Sequence, residues 1–399
     1  MNKYVFTILI LLLTFNLNAQ QEQSRDSIKV GLVLSGGGAK GFAHIGVLKV
    51  IDSLGIKVDY IAGTSMGAII GSLYASGYSG KQLDSIFKSQ NFDDIISDNL
   101  PRAAKTFYER DNSEKYAVTL PFENFKVKLP SALSRGQNVF NLLSKLTLHV
   151  SEIDDFEQLP IPFFCIATNI ETGAEVVLNK GNLARAITAS GAFPSLFQPV
   201  IIDDQILIDG GVVNNYPIDE LRAKGMDVII GVDVQDGLST REELTTAPDI
   251  LLQINNYRTI NDMKKKIAKT NIYIKPDIKD FTVVSFSEGR KIIKSGEFAS
   301  KEKINELNAL PKRKDFRELH TDSFSRDSIT INSISFKGNT RYTRAYILGK
   351  LKFKTNTTLS YDDFSRGINN LVATNNFETF QYELHKTKNE EGFDLDATL

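Results

Sequence analysis

A serine flanked by glycines is the residue of this chain best suited to covalent chemistry. Gly63, Ser65 and Gly67 form a Gly-x-Ser-x-Gly pattern between an apolar run at residues 60–62 and a stretch with helical spacing at residues 66–74. In such an elbow the glycines leave room for a sharp turn that pushes the hydroxyl out above the sheet, near the positive end of the next helix. The pattern predicts Ser65 as a nucleophile. The alternative is a serine that only caps the helix.

A second glycine-rich turn follows the first predicted strand, residues 28–34. It reads Ser-Gly-Gly-Gly-Ala-Lys-Gly over residues 35–41 and leads into a predicted helix at residues 42–54. Backbone N–H groups exposed between a strand and a helix suit an anion.

Two functional interpretations compete for this turn. A nucleotide phosphate loop needs Gly-Lys followed by Ser or Thr, but residues 40–42 read Lys-Gly-Phe. A dinucleotide site needs an acidic residue at the end of the next strand, which instead leads into Gly-Thr-Ser at residues 63–65. An oxyanion hole needs N–H donors beside the nucleophile. The N–H groups of Gly37 and Gly38 are predicted to face the oxygen that becomes negative when Ser65 attacks.

The general base is predicted to be a carboxylate. Histidine is the usual partner of a serine nucleophile, but none of the four histidines follows a strand in a glycine-rich context (His44, His149, His320 and His385). Asp209 does, because it ends an apolar strand at residues 205–208 and is followed by Gly210 and Gly211. An ordinary aspartate is a weak base at neutral pH, so burial is expected to raise the pKa of Asp209. The alternative is an aspartate that only forms an Asx turn.

The elements that must position these residues belong to a chain of ordinary composition. Its 399 residues predict two or three domains, and a formal net charge of -1 gives no indication of a nucleic-acid partner. Residues 1–19 have the short apolar core and small final residue of a signal peptide, so export to the periplasm, the outer membrane or the exterior is expected. The single cysteine, Cys165, excludes an intrachain disulfide and is expected to be buried.

The middle of the chain predicts further α/β elements. Strands are expected at residues 161–168, 174–178 and 228–234, and a short helix at residues 183–190. Residues 91–135 are less regular and carry aromatic side chains, which fit either core packing or a lid and acyl-chain groove (Phe92, Tyr108, Phe122 and Phe125).

The order of the three glycine-containing segments resembles the patatin-like phospholipases. Residues 36–41, 63–67 and 209–211 carry the resemblance, with Ala-Ser-Gly-Ala-Phe-Pro at residues 189–194 and Phe-Gln-Pro at residues 197–199 between the last two. The resemblance covers residues 28–276, and the main departure is Ser35 where many members have Asp.

The resemblance implies a three-layer α/β/α domain at residues 28–312 and a Ser65–Asp209 dyad that needs no cofactor or metal. Its oxyanion hole and motif glycines fall on Gly36, Gly37, Gly38 and Met66, and on Gly41, Gly63, Gly67, Gly210 and Gly211. The implied activity is hydrolysis of carboxylic esters in membrane phospholipids, a phospholipase A type. A lysophospholipase or general lipid esterase is the first alternative.

Residues 328–399 are predicted to form a second, small α+β unit after a linker at residues 313–327. Their expected order, β-α-α-β-β, with Gly-Asn-Thr after the first strand, is similar to a POTRA domain, the module that precedes outer-membrane barrels. We therefore expect that this sequence is part of a longer chain that includes such a barrel. The second functional alternative follows from the same resemblance: an outer-membrane assembly or transport module with an inert hydrolase domain.

Overall fold

The structure of the chain is a computed structural model. It describes residues 27–98, 132–235, 247–313, 328–339, 341–374, 380–387 and 392–399, together with the short stretches 122–123, 126–127, 237–238, 240–242, 244 and 376–377. The predicted signal peptide lies outside these residues, as do Tyr108 and Phe125 of the aromatic segment and residues 314–327 of the predicted linker.

The described strands and helices are numbered here in chain order. The strands are β1 (Val30–Leu34), β2 (Tyr60–Thr64), β3 (Phe122–Glu123), β4 (Lys126–Val127), β5 (Ala132–Ser134), β6 (Phe163–Asn169), β7 (Glu175–Leu178), β8 (Ser195–Phe197), β9 (Val200–Ile202), β10 (Gln205–Asp209), β11 (Val228–Val232), β12 (Ile272–Ile274), β13 (Ser328–Lys337), β14 (Thr357–Ser360), β15 (Gln381–Lys386) and β16 (Phe393–Thr398). The helices are α1 (Phe42–Ser53), α2 (Met66–Ala75), α3 (Gly80–Ser89), α4 (Phe92–Ile96), α5 (Gln137–Thr147), α6 (Leu183–Ser190), α7 (Ile218–Ala223), α8 (Ala247–Ala268), α9 (Gly289–Glu302), α10 (Ile304–Asn308), α11 (Arg344–Leu351) and α12 (Tyr361–Val372).

The larger unit is organised around an eight-stranded sheet. Five strands run parallel in the order β12-β11-β1-β2-β6, and β7, β9 and β10 extend the sheet in antiparallel pairings. Because the five strands are parallel, their carboxyl ends share one edge of the sheet. Ligand and catalytic sites of open α/β sheets form at that edge.

Strand β6 has three neighbours, and their registers fix how the chain segments meet. Residues 163–166 pair with β2, residues 167–169 pair with β10, and residues 165–168 pair with β7. Strand β7 shares paired residues with each of the other two, so it must lie on the opposite side of β6 from both. Strands β2 and β10 therefore lie on the same side of β6 and meet end to end.

Helices cover both faces of this sheet, so the domain has three layers. Along β1, Leu32 and Leu34 point into the cluster formed with α1 and α2, whereas Val33 points into the cluster formed with α7 and α8. This alternation follows from the two-residue period of a strand. Strands with both faces covered are apolar throughout, which explains why they were visible as continuous apolar runs.

Most predicted elements lie within one or two residues of the observed ones. The strand predicted at residues 28–34 is β1, the helix predicted at residues 42–54 is α1, and the helix predicted at residues 183–190 is α6. Cys165 is fully buried in β6, as expected.

The C-terminal unit has a four-stranded sheet in the order β14-β13-β16-β15 with α11 and α12 against it. The short strand β14 was not predicted, so the observed order is β-α-β-α-β-β rather than β-α-α-β-β. Its residues, Thr-Thr-Leu-Ser, are almost entirely exposed and thus carry too few apolar positions to show a pattern. The likeness to a POTRA domain stays a prediction.

The C-terminal unit packs against α5 and α6 of the larger unit. The Gln137 side-chain amide bonds both backbone groups of Phe380, donating to its oxygen at 2.9 Å and accepting from its nitrogen at 3.0 Å. Phe140 meets Tyr382 edge-on with ring centroids 5.1 Å apart, and Arg185 forms an ion pair with Glu383 at 3.3 Å.

The start of the predicted linker and the apolar content of the helices remain to be described. Arg313, at the start of the predicted linker, is attached to the larger unit because its Nε donates to the Ile56 oxygen at 2.9 Å. Among the helices that the structure describes, none combines the length and the apolar content that crossing a membrane requires.

Candidate active site

Ser65 lies at a sharp corner between β2 and α2. Its backbone has φ 55° and ψ −124°, a conformation that a residue with a side chain rarely adopts. The turn is tight on both sides: a Cβ on Gly67 would lie 2.2 Å from the Leu34 oxygen, and one on Gly63 would lie 2.6 Å from the Gly67 oxygen. Only glycine fits at these two positions.

The Ser65 hydroxyl points at the carboxylate of Asp209. Ser65 Oγ donates to Asp209 Oδ2 at 2.7 Å, and the Gly211 N–H donates to Asp209 Oδ1 at 2.7 Å. Gly210 lets the chain turn away after the aspartate, since a Cβ there would lie 2.1 Å from the Ile166 oxygen. Burial raises the pKa of Asp209 to about 6, against the opposing effect of these two hydrogen bonds.

The glycine-rich turn lies beside Ser65. Gly38 has φ +55°, and a Cβ on it would lie 2.4 Å from the Val283 oxygen, so this position also requires glycine. Within the described part of the chain, no acceptor bonds the N–H of Gly37 or Gly38. The N–H of Gly36, in contrast, is engaged: it donates to Asn215 Oδ1 at 3.1 Å.

Met66 and Gly41 complete the predicted set. Met66 is the first residue of α2, so its N–H has no intrahelical acceptor. A Cβ on Gly41 would lie 2.3 Å from Met66 Cγ, so the glycine-rich turn packs directly on the start of α2.

Ser35 and His44 hold the glycine-rich turn from behind. Ser35 Oγ accepts the Val234 N–H at 2.9 Å, and the His44 ring donates from Nε2 to the Ser35 oxygen at 2.8 Å. Burial lowers the pKa of His44 to about 4, so the ring is neutral at physiological pH. The serine that stands where many patatin-like proteins have Asp thus anchors the turn through its own hydroxyl.

The other histidines lie elsewhere. His149 donates from Nε2 to the Ser76 oxygen at 2.9 Å, and His385 lies in the C-terminal unit beside Glu383. His320 is outside the described residues. Of the described histidines, none bonds Ser65.

Two residues with close contacts to the site were not predicted from the sequence. Ser190, at the end of α6, accepts the Ser65 N–H at 3.1 Å and donates to the Ile166 oxygen at 2.6 Å. Asn215 bonds Gly36 through both ends of its side-chain amide. Ser190 lies in the segment 189–194 that accompanies the family resemblance, but nothing in the sequence assigned it a role at the site. Asn215 had no signal beyond being a polar residue a few positions after Asp209.

These contacts define a class of site: a hydroxyl bonded to a buried carboxylate, with a glycine-rich turn packed beside it, at the carboxyl edge of an α/β sheet. Residues 32–222 match the family described as "Patatin-like phospholipase". The chain therefore carries a patatin-like phospholipase domain over those residues, with the α/β fold that the resemblance implied.

The relatives are much longer proteins. The chain is 33% identical over 205 residues to "Lysophospholipase nte1" of Aspergillus fumigatus, a match of 51% of this chain and 12% of that protein. It is 27% identical over 292 residues to "Lysophospholipase NTE1" of Saccharomyces cerevisiae, covering 67% of this chain and 16% of the yeast protein. The matched part is thus less than a fifth of either relative.

Solved structures show partial overlap. VipD from Legionella pneumophila aligns at 15% identity and a TM-score of 0.40, covering 71% of this chain and 67% of VipD. ExoU, in its complex with SpcU from Pseudomonas aeruginosa, aligns at 17% identity and a TM-score of 0.33, covering 71% of this chain and 52% of that structure.

Proposed function

We propose that the protein is a serine acyl hydrolase that cleaves carboxylic ester bonds of glycerophospholipids through an acyl-enzyme. The observation that carries the proposal is the 2.7 Å hydrogen bond from Ser65 Oγ to Asp209 Oδ2, at an elbow against which Gly36 of the glycine-rich turn packs. Both partners of a nucleophile and a base are present in hydrogen-bond contact, so no third residue is required.

The first half of the reaction forms the acyl-enzyme. Ser65 Oγ attacks the ester carbonyl carbon while its proton moves to Asp209. The carbonyl oxygen becomes negative and is stabilised by the N–H groups beside it. The tetrahedral intermediate then breaks its bond to the glycerol oxygen, which takes the proton from Asp209 and leaves as an alcohol.

The second half releases the fatty acid. A water molecule gives a proton to Asp209 and attacks the acyl carbon, and the same N–H groups stabilise the second oxyanion. The intermediate breaks its bond to Ser65 Oγ, which recovers the proton from Asp209. The raised pKa of Asp209 matters in both halves, because a carboxylate with a pKa of about 6 is a better base than an exposed one.

The donors assigned to the oxyanion are the N–H groups of Gly37, Gly38 and Met66. Gly36 is left out of this set, although the sequence predicted it, because its N–H already donates to Asn215. An N–H group that is held by a neighbouring amide is a poor donor to a charge that appears only during the reaction.

A lysophospholipase is the second candidate. The curated relatives at 27–33% identity are named lysophospholipases, although the match takes in only 12–16% of their length. The chemistry is the same for both substrates, since each presents a carboxylic ester to Ser65.

Three further proposals rest on the sequence alone. They are export of the protein, the POTRA-like nature of the C-terminal unit, and a barrel in a longer chain.

The proposal is tested by labelling with a fluorophosphonate, followed by product analysis. Wild type should be labelled and Ser65→Ala should not, which separates an active hydrolase from an inert module. Mass spectrometry of the products from a mixed-acyl phosphatidylcholine and from lysophosphatidylcholine then separates the two candidates. Failure of the wild type to be labelled, with its fold intact by circular dichroism, would contradict both.

A further inference from the structure

The segment that carries Asp209 returns to the site six residues later. Asn215 Oδ1 accepts the Gly36 N–H at 3.1 Å, and Asn215 Nδ2 donates to the Gly36 oxygen at 3.3 Å. The Asn215 backbone oxygen also lies 3.4 Å from the same N–H. The first glycine of the turn is thus bonded on both its donor and its acceptor.

Gly36 is enclosed between Asn215 and the predicted nucleophile. A Cβ on Gly36 would lie 2.4 Å from Asn215 Oδ1 and 2.8 Å from the Ser65 Cβ. Any displacement of Gly36 therefore moves the turn relative to Ser65. Since Gly37 and Gly38 follow directly, the direction of their N–H groups depends on where Gly36 is held.

We propose that Asn215 is a positioning residue that sets the oxyanion donors against Ser65, an inference that rests on the proposed function. A carboxamide is suited to this role because it supplies a donor and an acceptor to the backbone of one residue without charge. The preceding residue, Asn214, bonds the strand that leads into the elbow, since its backbone oxygen accepts the Thr64 hydroxyl at 2.9 Å. The segment at residues 209–215 thereby carries the base and bonds both the elbow and the glycine-rich turn.

The neutrality of Asn215 matters because of its neighbour. A point at the Gly211 Cβ position would lie 2.9 Å from Asn215 Oδ1 and 3.0 Å from Asp209 Oδ1, so the two oxygens lie within about 6 Å of each other. A carboxylate in place of the Asn215 amide would raise the pKa of Asp209 further through like-charge repulsion. It would also oppose the negative charge that forms on the substrate oxygen.

The test compares Asn215→Ala and Asn215→Asp with wild type and with Asn261→Ala. Asn261 is an exposed asparagine of α8 whose side chain donates to the Tyr257 oxygen of the same helix, so its variant is a matched control. We expect Asn215→Ala to lower kcat by about 10- to 100-fold with little change in KM, as misplaced donors weaken only the transition state. Fluorophosphonate labelling of Ser65 should slow in parallel.

Asn215→Asp provides the second, isosteric readout. It keeps the acceptor for the Gly36 N–H, so a purely structural role predicts a milder loss than in Asn215→Ala. The positioning role beside Asp209 predicts that at pH 8 Asn215→Asp loses more of its kcat than Asn215→Ala does. It also predicts that the midpoint of the pH–rate profile of Asn215→Asp lies above the wild-type value. The inference is overturned if both variants keep wild-type kcat, or if Asn215→Asp leaves that midpoint unmoved.

Failure of the inference and failure of the proposed function are distinguishable. If wild type reacts with the fluorophosphonate and the Asn215 variants react equally fast, only the role of Asn215 is wrong. If wild type does not react, the hydrolase assignment itself is wrong. Thermal unfolding of each variant separates a changed rate from a loss of folded protein.

Discussion

Thr64 and Asp209 lie end to end on one side of β6, opposite its consecutive residues Ile166 and Ala167. Strand β2 arrives from one direction and β10 from the other, because β2 is parallel to β6 and β10 is antiparallel to it. Ser65 follows Thr64 directly, so its hydroxyl meets the Asp209 carboxylate at the gap between the two strands. The register of one strand thus aligns a hydroxyl and a carboxylate that are 144 residues apart.

The pH dependence of the reaction should reveal the base. Asp209 must be ionised to accept a proton, and burial raises its pKa to about 6. We therefore expect kcat/KM to rise about tenfold per pH unit below pH 6 and to level off above it. The neutral His44, with a pKa of about 4, should contribute no inflection between pH 5 and 8. A rate that is constant from pH 4.5 to 7.5 would exclude Asp209 as the base.

Asp209→Asn should make the protein more stable at pH 8. The pKa of Asp209 is higher in the folded chain than in the unfolded one, so the unfolded chain loses this proton first and stability falls as pH rises from about 4 to 6. Removing the charge should restore up to about 3 kcal/mol of unfolding free energy at pH 8 and nothing below pH 4. Urea unfolding at the two pH values measures the difference.

The matched control for that stability change is Asp233→Asn. Asp233 is equally buried, but its carboxylate accepts from the Tyr273 hydroxyl at 2.6 Å and from Lys275 Nζ at 3.1 Å. Removing a charge that has a cation as partner should not stabilise the protein. A gain at pH 8 in this variant, or none in Asp209→Asn, would contradict the interpretation.

The elbow should store backbone strain that glycine can release. Ser65 has φ 55° with a side chain, a conformation that costs about 1–3 kcal/mol. Ser65→Gly is therefore expected to be more stable than Ser65→Ala by about 1 kcal/mol, after the entropy cost of glycine of roughly 0.5–1 kcal/mol. The opposite order is expected at Ser85, an exposed residue of α3, where glycine should cost about 1 kcal/mol relative to alanine. Urea unfolding of the four variants tests both orders, and equal stabilities at Ser65 would argue against strain.

Gly38→Ala should reduce both rate and stability. The new Cβ would lie 2.4 Å from the Val283 oxygen, so the turn must move and its N–H donors with it. We expect kcat to fall about 100-fold, the effect of losing one oxyanion donor. Gly55→Ala is the control, since Gly55 also has positive φ (+64°) but no atom within 4 Å of a new Cβ. It should cost about 1 kcal/mol of stability and leave ester hydrolysis unchanged, so an equal loss of activity in both variants would contradict the prediction.

Several features of the fold could be predicted because they depend on local sequence. Strands β1, β2 and β6 are largely apolar on both faces, since helices cover the sheet on either side. Glycines that cannot carry a Cβ also leave a local signal, as at Gly63 and Gly67. Strand β14 had none, because its side chains are mostly exposed.

Other features depend on contacts between distant segments and left no such signal. The engagement of the Gly36 N–H by Asn215 joins residues 179 positions apart, so the turn alone could not show that this donor is occupied. The acceptance of the Ser65 N–H by Ser190 is similar, at 125 positions apart. The packing of the C-terminal unit on α5 through Gln137 likewise joins segments that are far apart in the chain.

The sequence by itself determined the parts of this protein: a glycine-flanked serine, an aspartate at a strand end, a glycine-rich turn and the apolar strands that present them. These follow from backbone sterics and hydrophobic periodicity, which act over a few residues. Only the tertiary structure decided which N–H groups remain available, how far burial raises the pKa of Asp209, and which amide holds the turn. Each of these depends on how strands far apart in the chain pair across one sheet, and local patterns do not encode that register.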